Sequence, residues 1–115
     1  MIINTDEVDW NLPDPHYIYA MVLSYPSIIK TSKKEGIEKI LSSDGFYSYL
    51  YAKDIIRDRF VLGEYLILEN PILCCLYTKH VLKERFSDAE VSIMEHKESR
   101  DMYLRILKDL ASEDD

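Results

Sequence analysis

From residue 44 onward, apolar side chains recur at helical spacing. Phe46, Tyr49, Leu50 and Ile56 fall on one broad arc, and Ile72, Leu76 and Leu82 repeat it further along. So wide an apolar arc is expected of a helix that neighbours touch on both sides. Asp44-Gly45 and Asn70-Pro71 stand just ahead of these runs. A side-chain oxygen at such a position caps free amides, and Pro suits the first helical residue because its missing N–H would be unpaired anyway. The pattern therefore predicts a long helix after Asp44 and another after Asn70. Each is followed by a shorter helix, with Phe60 or Phe86 wedged at the joint. Ser87-Asp88-Ala89-Glu90 reads as a capping box, in which Ser and Glu each bond the other's backbone amide. That reading gives Glu90, and Glu64 by equivalence, a backbone-capping role.

The two segments are copies. Residues 44–69 align without a gap on 70–95 at an offset of 26, with eight identities: Leu50/Leu76, Tyr51/Tyr77, Lys53/Lys79, Arg59/Arg85, Phe60/Phe86, Glu64/Glu90, Ile67/Ile93 and Glu69/Glu95. Weaker copies flank the pair. Upstream, Asp14-Pro15 opens a helix whose Tyr19-Ala20 matches Tyr51-Ala52, and Ser32-Lys33-Lys34-Glu35 reads as a further capping box. On this register the first unit holds about six extra residues around Tyr25-Pro26-Ser27, where Pro ends the preceding helix. Downstream, Tyr103 follows Tyr77 at the same offset, in a copy that stops after one helix. A lone helix pair leaves its apolar face uncovered, and stacking covers it. The expectation is an all-α fold of stacked helix-pair repeats, a short α-solenoid-like bundle whose period is that offset. It is organised as an N-terminal arm (1–13), a divergent repeat (14–43), two clear repeats (44–69 and 70–95), a half repeat (96–111) and an acidic tail (112–115).

The shared sentence Y-A/T-K-D/H-I/V-I/L-R/K-x-R-F, with Glu four residues after the Phe, resembles tandem short helical repeats in proteins of large tailed bacteriophages. The resemblance covers 44–95 well, 15–43 loosely and 96–107 in part. The Gly that such repeats carry before Arg-Phe is replaced here by Asp58 and Glu84. The resemblance implies a viral origin and an interaction role. It brings no catalytic residue with it.

Composition narrows the chemistry. Three glycines in 115 residues rule out the glycine-rich loops that cradle phosphates, and no apolar run reaches the length of a membrane span. The basic start of a secretory signal is missing, so a cytoplasmic protein without a membrane role is expected. Cys74 and Cys75 are adjacent, too close in sequence for an ordinary bridge. His16, His80 and His96 stand at no metal-ligand spacing, so no catalytic, cofactor or metal residue is expected. The net charge of −7 resides in the ends, because residues 16–112 carry 14 acids and 14 bases. A basic ridge of Lys53, Arg57, Arg59, Lys79, Lys83 and Arg85 is interleaved with acids, which opposes direct nucleic-acid binding.

Function is then expected in a non-enzymatic protein-interaction module, a small phage protein that binds a host protein and inhibits or redirects it. Two other readings are an acidic DNA-mimic decoy and a small virion or assembly component, the latter as a stable homo-oligomer; a homodimer is a further expectation for the chain. The candidate partner-binding residues lie where the copies differ. They are Trp10 as an aromatic anchor, Asp6, Glu7, Asp9 and Asp14 as orienting charges, and Tyr25 beside the insertion.

Overall fold

The computed structural model describes residues 7–113. Three of its helices begin at side-chain caps. Asp14 Oδ1 accepts from the amides of His16 and Tyr17 and opens α1 (Pro15–Ser24). Asp44 accepts from the Tyr47 amide and opens α3 (Gly45–Leu50), and Asn70 accepts from Ile72 and Leu73 and opens α5 (Pro71–Tyr77). The short helices are α2 (Lys34–Leu41), α4 (Val61–Ile67) and α6 (Glu90–Met94), and α7 (Lys97–Glu113) follows. The result is an all-α bundle of seven α-helices, with no strand among the described residues. It measures 46 × 30 × 24 Å. No helix among these residues is long and apolar enough to cross a membrane.

Two features depart from the simple helix-pair picture. First, α3 and α5 do not end as α-helices. Each widens into a π-helical turn, Tyr51–Ile56 and Thr78–Leu82, and each turn stops at a left-handed residue, Arg57 (φ 53°) and Lys83 (φ 55°). The wider turn brings an extra residue into the coil, and the left-handed residue reverses the chain toward Phe60 or Phe86. Second, the caps Asp44 and Asn70 stand one repeat offset apart, whereas Asp14 and Asp44 stand four positions further apart than that. The first unit therefore carries four extra residues rather than six. They include the 3-10 turn Pro26–Lys30. Tyr51 and Tyr77 each stand seven residues after their caps, a place held in α1 by Met21 and not by Tyr19. Tyr19 is half-buried and bonds Asp54 instead (3.0 Å).

Both expected capping boxes are corrected. Ser87 lies in a 3-10 turn (Ser87–Ala89) without a side-chain cap, and the Glu90 carboxylate is engaged by Arg85 and Tyr103. Lys33, not Ser32, is the residue before α2, and Thr31 Oγ1 accepts from the Lys33 amide. At Glu90, arginine and tyrosine donors bind more strongly than one backbone amide does, since charge-assisted and bidentate pairs outweigh a single neutral bond.

The core is built from the recurring residues. Tyr51, Tyr77, Ile37, Leu41, Ile67 and Ile93 are fully buried, and Phe60 and Phe86 nearly so. Tyr51 meets Phe60 edge-on at 4.9 Å between ring centroids, and Tyr77 meets Phe86 at 5.6 Å. The last carbonyls of the short helices receive side-chain donors from the next long helix. Ser48 Oγ donates to Leu41 O (3.0 Å), Cys74 Sγ to Ile67 O (3.2 Å) and Ser99 Oγ to Ile93 O (2.7 Å). Helix ends buried against a neighbour need such donors, and here each neighbour supplies one. Gly63 explains why α3 and α4 pack so closely, since a Cβ there would overlap Ser48 and reach within 2.8 Å of Phe60.

Candidate interaction surface

The residues that recur most faithfully form a bonded cluster at each boundary between sequence units. Arg59 donates through Nε and Nη2 to the two carboxylate oxygens of Glu64 (2.9 and 2.7 Å). The Tyr77 hydroxyl donates to Glu64 Oε2 (2.7 Å) and accepts from the Phe60 amide (2.9 Å). One unit on, Arg85 grips Glu90 in the same way (2.9 and 2.6 Å), and Tyr103 donates to Glu90 Oε2 (2.5 Å) while accepting from the Phe86 amide (2.9 Å). Burial opposes the charge on Glu64, yet the Arg59 and Tyr77 bonds outweigh it and lower its pKa. The Arg85 and Tyr103 bonds hold Glu90 down to about 2. These groups are satisfied by one another and have little left for chemistry.

The third glutamate of the series differs. Tyr51 donates to Glu38 Oε2 (2.8 Å), as the pattern requires. The residue five places before Glu38 is Lys33 rather than Arg, and no ion pair among the described residues joins the two. Glu38 lines an open cleft of ≈ 420 Å³ together with Lys34, Asp58, Arg59 and the apolar Ile56, Phe60, Val61 and Leu62.

From the lip of that cleft an apolar face continues along α4. Val61 is 70% exposed, Leu62 56% and Tyr65 69%. Val91 on α6, at the place equivalent to Tyr65, is 76% exposed, and Met94 one turn on is 39% exposed. Tyr65 is therefore a surface residue. The face was missed because α4 is apolar almost all round, and periodicity does not show which of its sides a neighbour covers.

The candidate residues of the arm do not converge on one exposed patch. Trp10 is only 4% exposed and belongs to the core with Val8. Asp14 is the cap of α1, and Asp9 accepts from the Asn11 amide (3.1 Å). Glu7 is exposed, Tyr25 is half-buried between α1 and the 3-10 turn, and Asp6 lies outside the described residues.

Burial raises the thiols of Cys74 and Cys75 to about 12 and about 11, which keeps both protonated at neutral pH. Among the described residues no group of three His, Cys, Asp or Glu side chains is placed to hold a metal ion. Comparison with family models, curated proteins and solved structures finds no match to this chain.

Proposed function

We propose that the protein is a non-enzymatic helical-repeat module whose short helices bind a protein partner. The observation that carries this reading is the row of exposed apolar side chains on α4 and α6, Val61, Leu62, Tyr65, Val91 and Met94, in a fold whose other large residues are mostly packed away. Val61, Leu62 and Tyr65 lie exposed within about one turn of α4, and such an apolar cluster marks an interaction site, where tyrosine and methionine are favoured. The likeness of the repeat to tailed-phage proteins makes a bacterial host protein the proposed partner, and inhibition or redirection of that protein the proposed outcome. The decoy reading is weaker, since Glu64 and Glu90 are neutralised by arginines within the fold.

The test compares wild-type protein with a Tyr65→Asp/Val91→Asp variant as baits in bacterial lysate. The same stoichiometric partner is expected with wild type and lost with the variant, at unchanged circular dichroism and melting temperature. Retention of that partner by the variant would place binding elsewhere.

A further inference from the structure

We infer that Glu38 and the cleft before it are a receptor for an arginine side chain carried by the protein partner. This rests on the interaction role proposed above and names the chemistry that role would recognise. The molecule contains its own template for the contact. Glu38, Glu64 and Glu90 recur at the repeat offset, and each accepts from the tyrosine hydroxyl 13 residues later, at 2.8, 2.7 and 2.5 Å. In the second and third members Oε2 also accepts from an arginine Nε, and Oε1 accepts from its Nη2. In the first member Tyr51 occupies Oε2, and among the described residues Oε1 has neither a hydrogen bond nor an ion pair.

The reason lies in one substitution within the repeat. The arginine five residues before the glutamate becomes Lys33. An ammonium on a flexible stem does not present the planar fork that two carboxylate oxygens match. The donor is thus missing from within, while the acceptor, its tyrosine and an open approach remain. An entering guanidinium would find Asp58 as a second carboxylate in the cleft, and its methylenes would lie on Ile56, Val61 and Leu62. The two cations that share the cleft do not close it: Arg59 is held by Glu64, and Lys34 is an exposed side chain that can turn to solvent. The apolar lip joins the exposed face of α4, so an arginine flanked by apolar residues fits the whole surface.

The probe is the acetylated, amidated tripeptide Leu-Arg-Leu, titrated into 15N-labelled full chain, with Leu-Lys-Leu as its control. Saturable shifts are expected at the amides of Glu38, Tyr51 and Val61, with the lysine peptide weaker by about tenfold because it loses the bidentate pair. Lys33→Arg restores the internal donor. It should raise the melting temperature and weaken the arginine peptide by a similar factor, and Glu38→Gln should weaken it without raising the melting temperature. Equal binding of the two peptides, no shift at these amides, or undiminished binding to Lys33→Arg would each overturn the assignment. Partner capture through Tyr65 and Val91 is read separately, so an arginine-free contact would sink this inference and leave the interaction role standing.

Discussion

The Tyr77 hydroxyl is among the best-connected polar atoms in the core, and its effect can be sized against its copies. It donates to Glu64 and accepts from the buried Phe60 amide at the joint. Tyr77→Phe removes both bonds and strands a buried N–H, so it should destabilise by about 1–3 kcal/mol. Tyr51→Phe removes only the bond to the half-buried Glu38, and about 0.5–1.5 kcal/mol is expected. Urea unfolding of the two variants checks the order, and a Tyr51 loss larger than the Tyr77 loss would contradict it. Much of this was readable from the sequence. The recurrence of Tyr, Phe and Glu at a fixed offset marked them as scaffold. What stayed hidden was their pairing, because a glutamate three residues after a serine satisfies the capping-box pattern equally well. Only the fold shows that Arg85 and Tyr103 reach Glu90 first.

Among the elements, the starts of α1, α3 and α5 were legible, whereas the starts of α2 and α6 and the ends of α3 and α5 were not. Asp14, Asp44 and Asn70 announce their helices through a local bond that needs no tertiary context. The ends of α3 and α5 depend on a left-handed residue, and no glycine marks it. Arg57 and Lys83 occupy those positions with exposed side chains. A residue with a Cβ is disfavoured there by about 1–2 kcal/mol, while glycine loses part of that advantage through its freer unfolded chain. Lys83→Gly should therefore stabilise by about 0.5–1 kcal/mol, and Lys83→Val should destabilise, since a branched Cβ fits the left-handed region worst. Both variants keep the backbone bond from residue 83 to Thr78 O (2.8 Å), so a shift in thermal midpoint reports the dihedral preference. If Lys83→Gly lowered the midpoint, the left-handed turn would not be a source of strain. The candidate surface was partly legible in the same sense. The apolar residues of α4 were visible in the sequence, but which of them face outward is set by the packing of α3, where Gly63 seats against Ser48.

At the scale of the whole molecule, the glutamates and tyrosines define a pH window. Glu64 and Glu90 have lowered pKa values in the folded chain, Glu90 to about 2 against an ordinary 4.5. A depressed carboxylate contributes stability that is present above its unfolded pKa and lost as pH falls through the folded value. The acid limb should therefore run from about 4.5 down to about 2. The tyrosines act in the opposite sense. Burial, and then the bond to Glu90, raises Tyr103 to about 12, and burial with the Asp54 bond does the same for Tyr19. Tyr51 and Tyr77 are raised as well, chiefly by burial. A raised phenol contributes stability that is full below its ordinary value of 10 and lost as pH climbs toward about 12. Thermal midpoints should accordingly fall below about pH 4.5 and above about pH 10. Glu90→Gln should flatten the acid limb and Tyr103→Phe the alkaline one. Absorbance titration supplies a separate check, since the buried phenols should ionise together with loss of helical circular dichroism. Ionisation of all nine tyrosines near pH 10 in a still-helical chain would show that these hydroxyls do not join the helices.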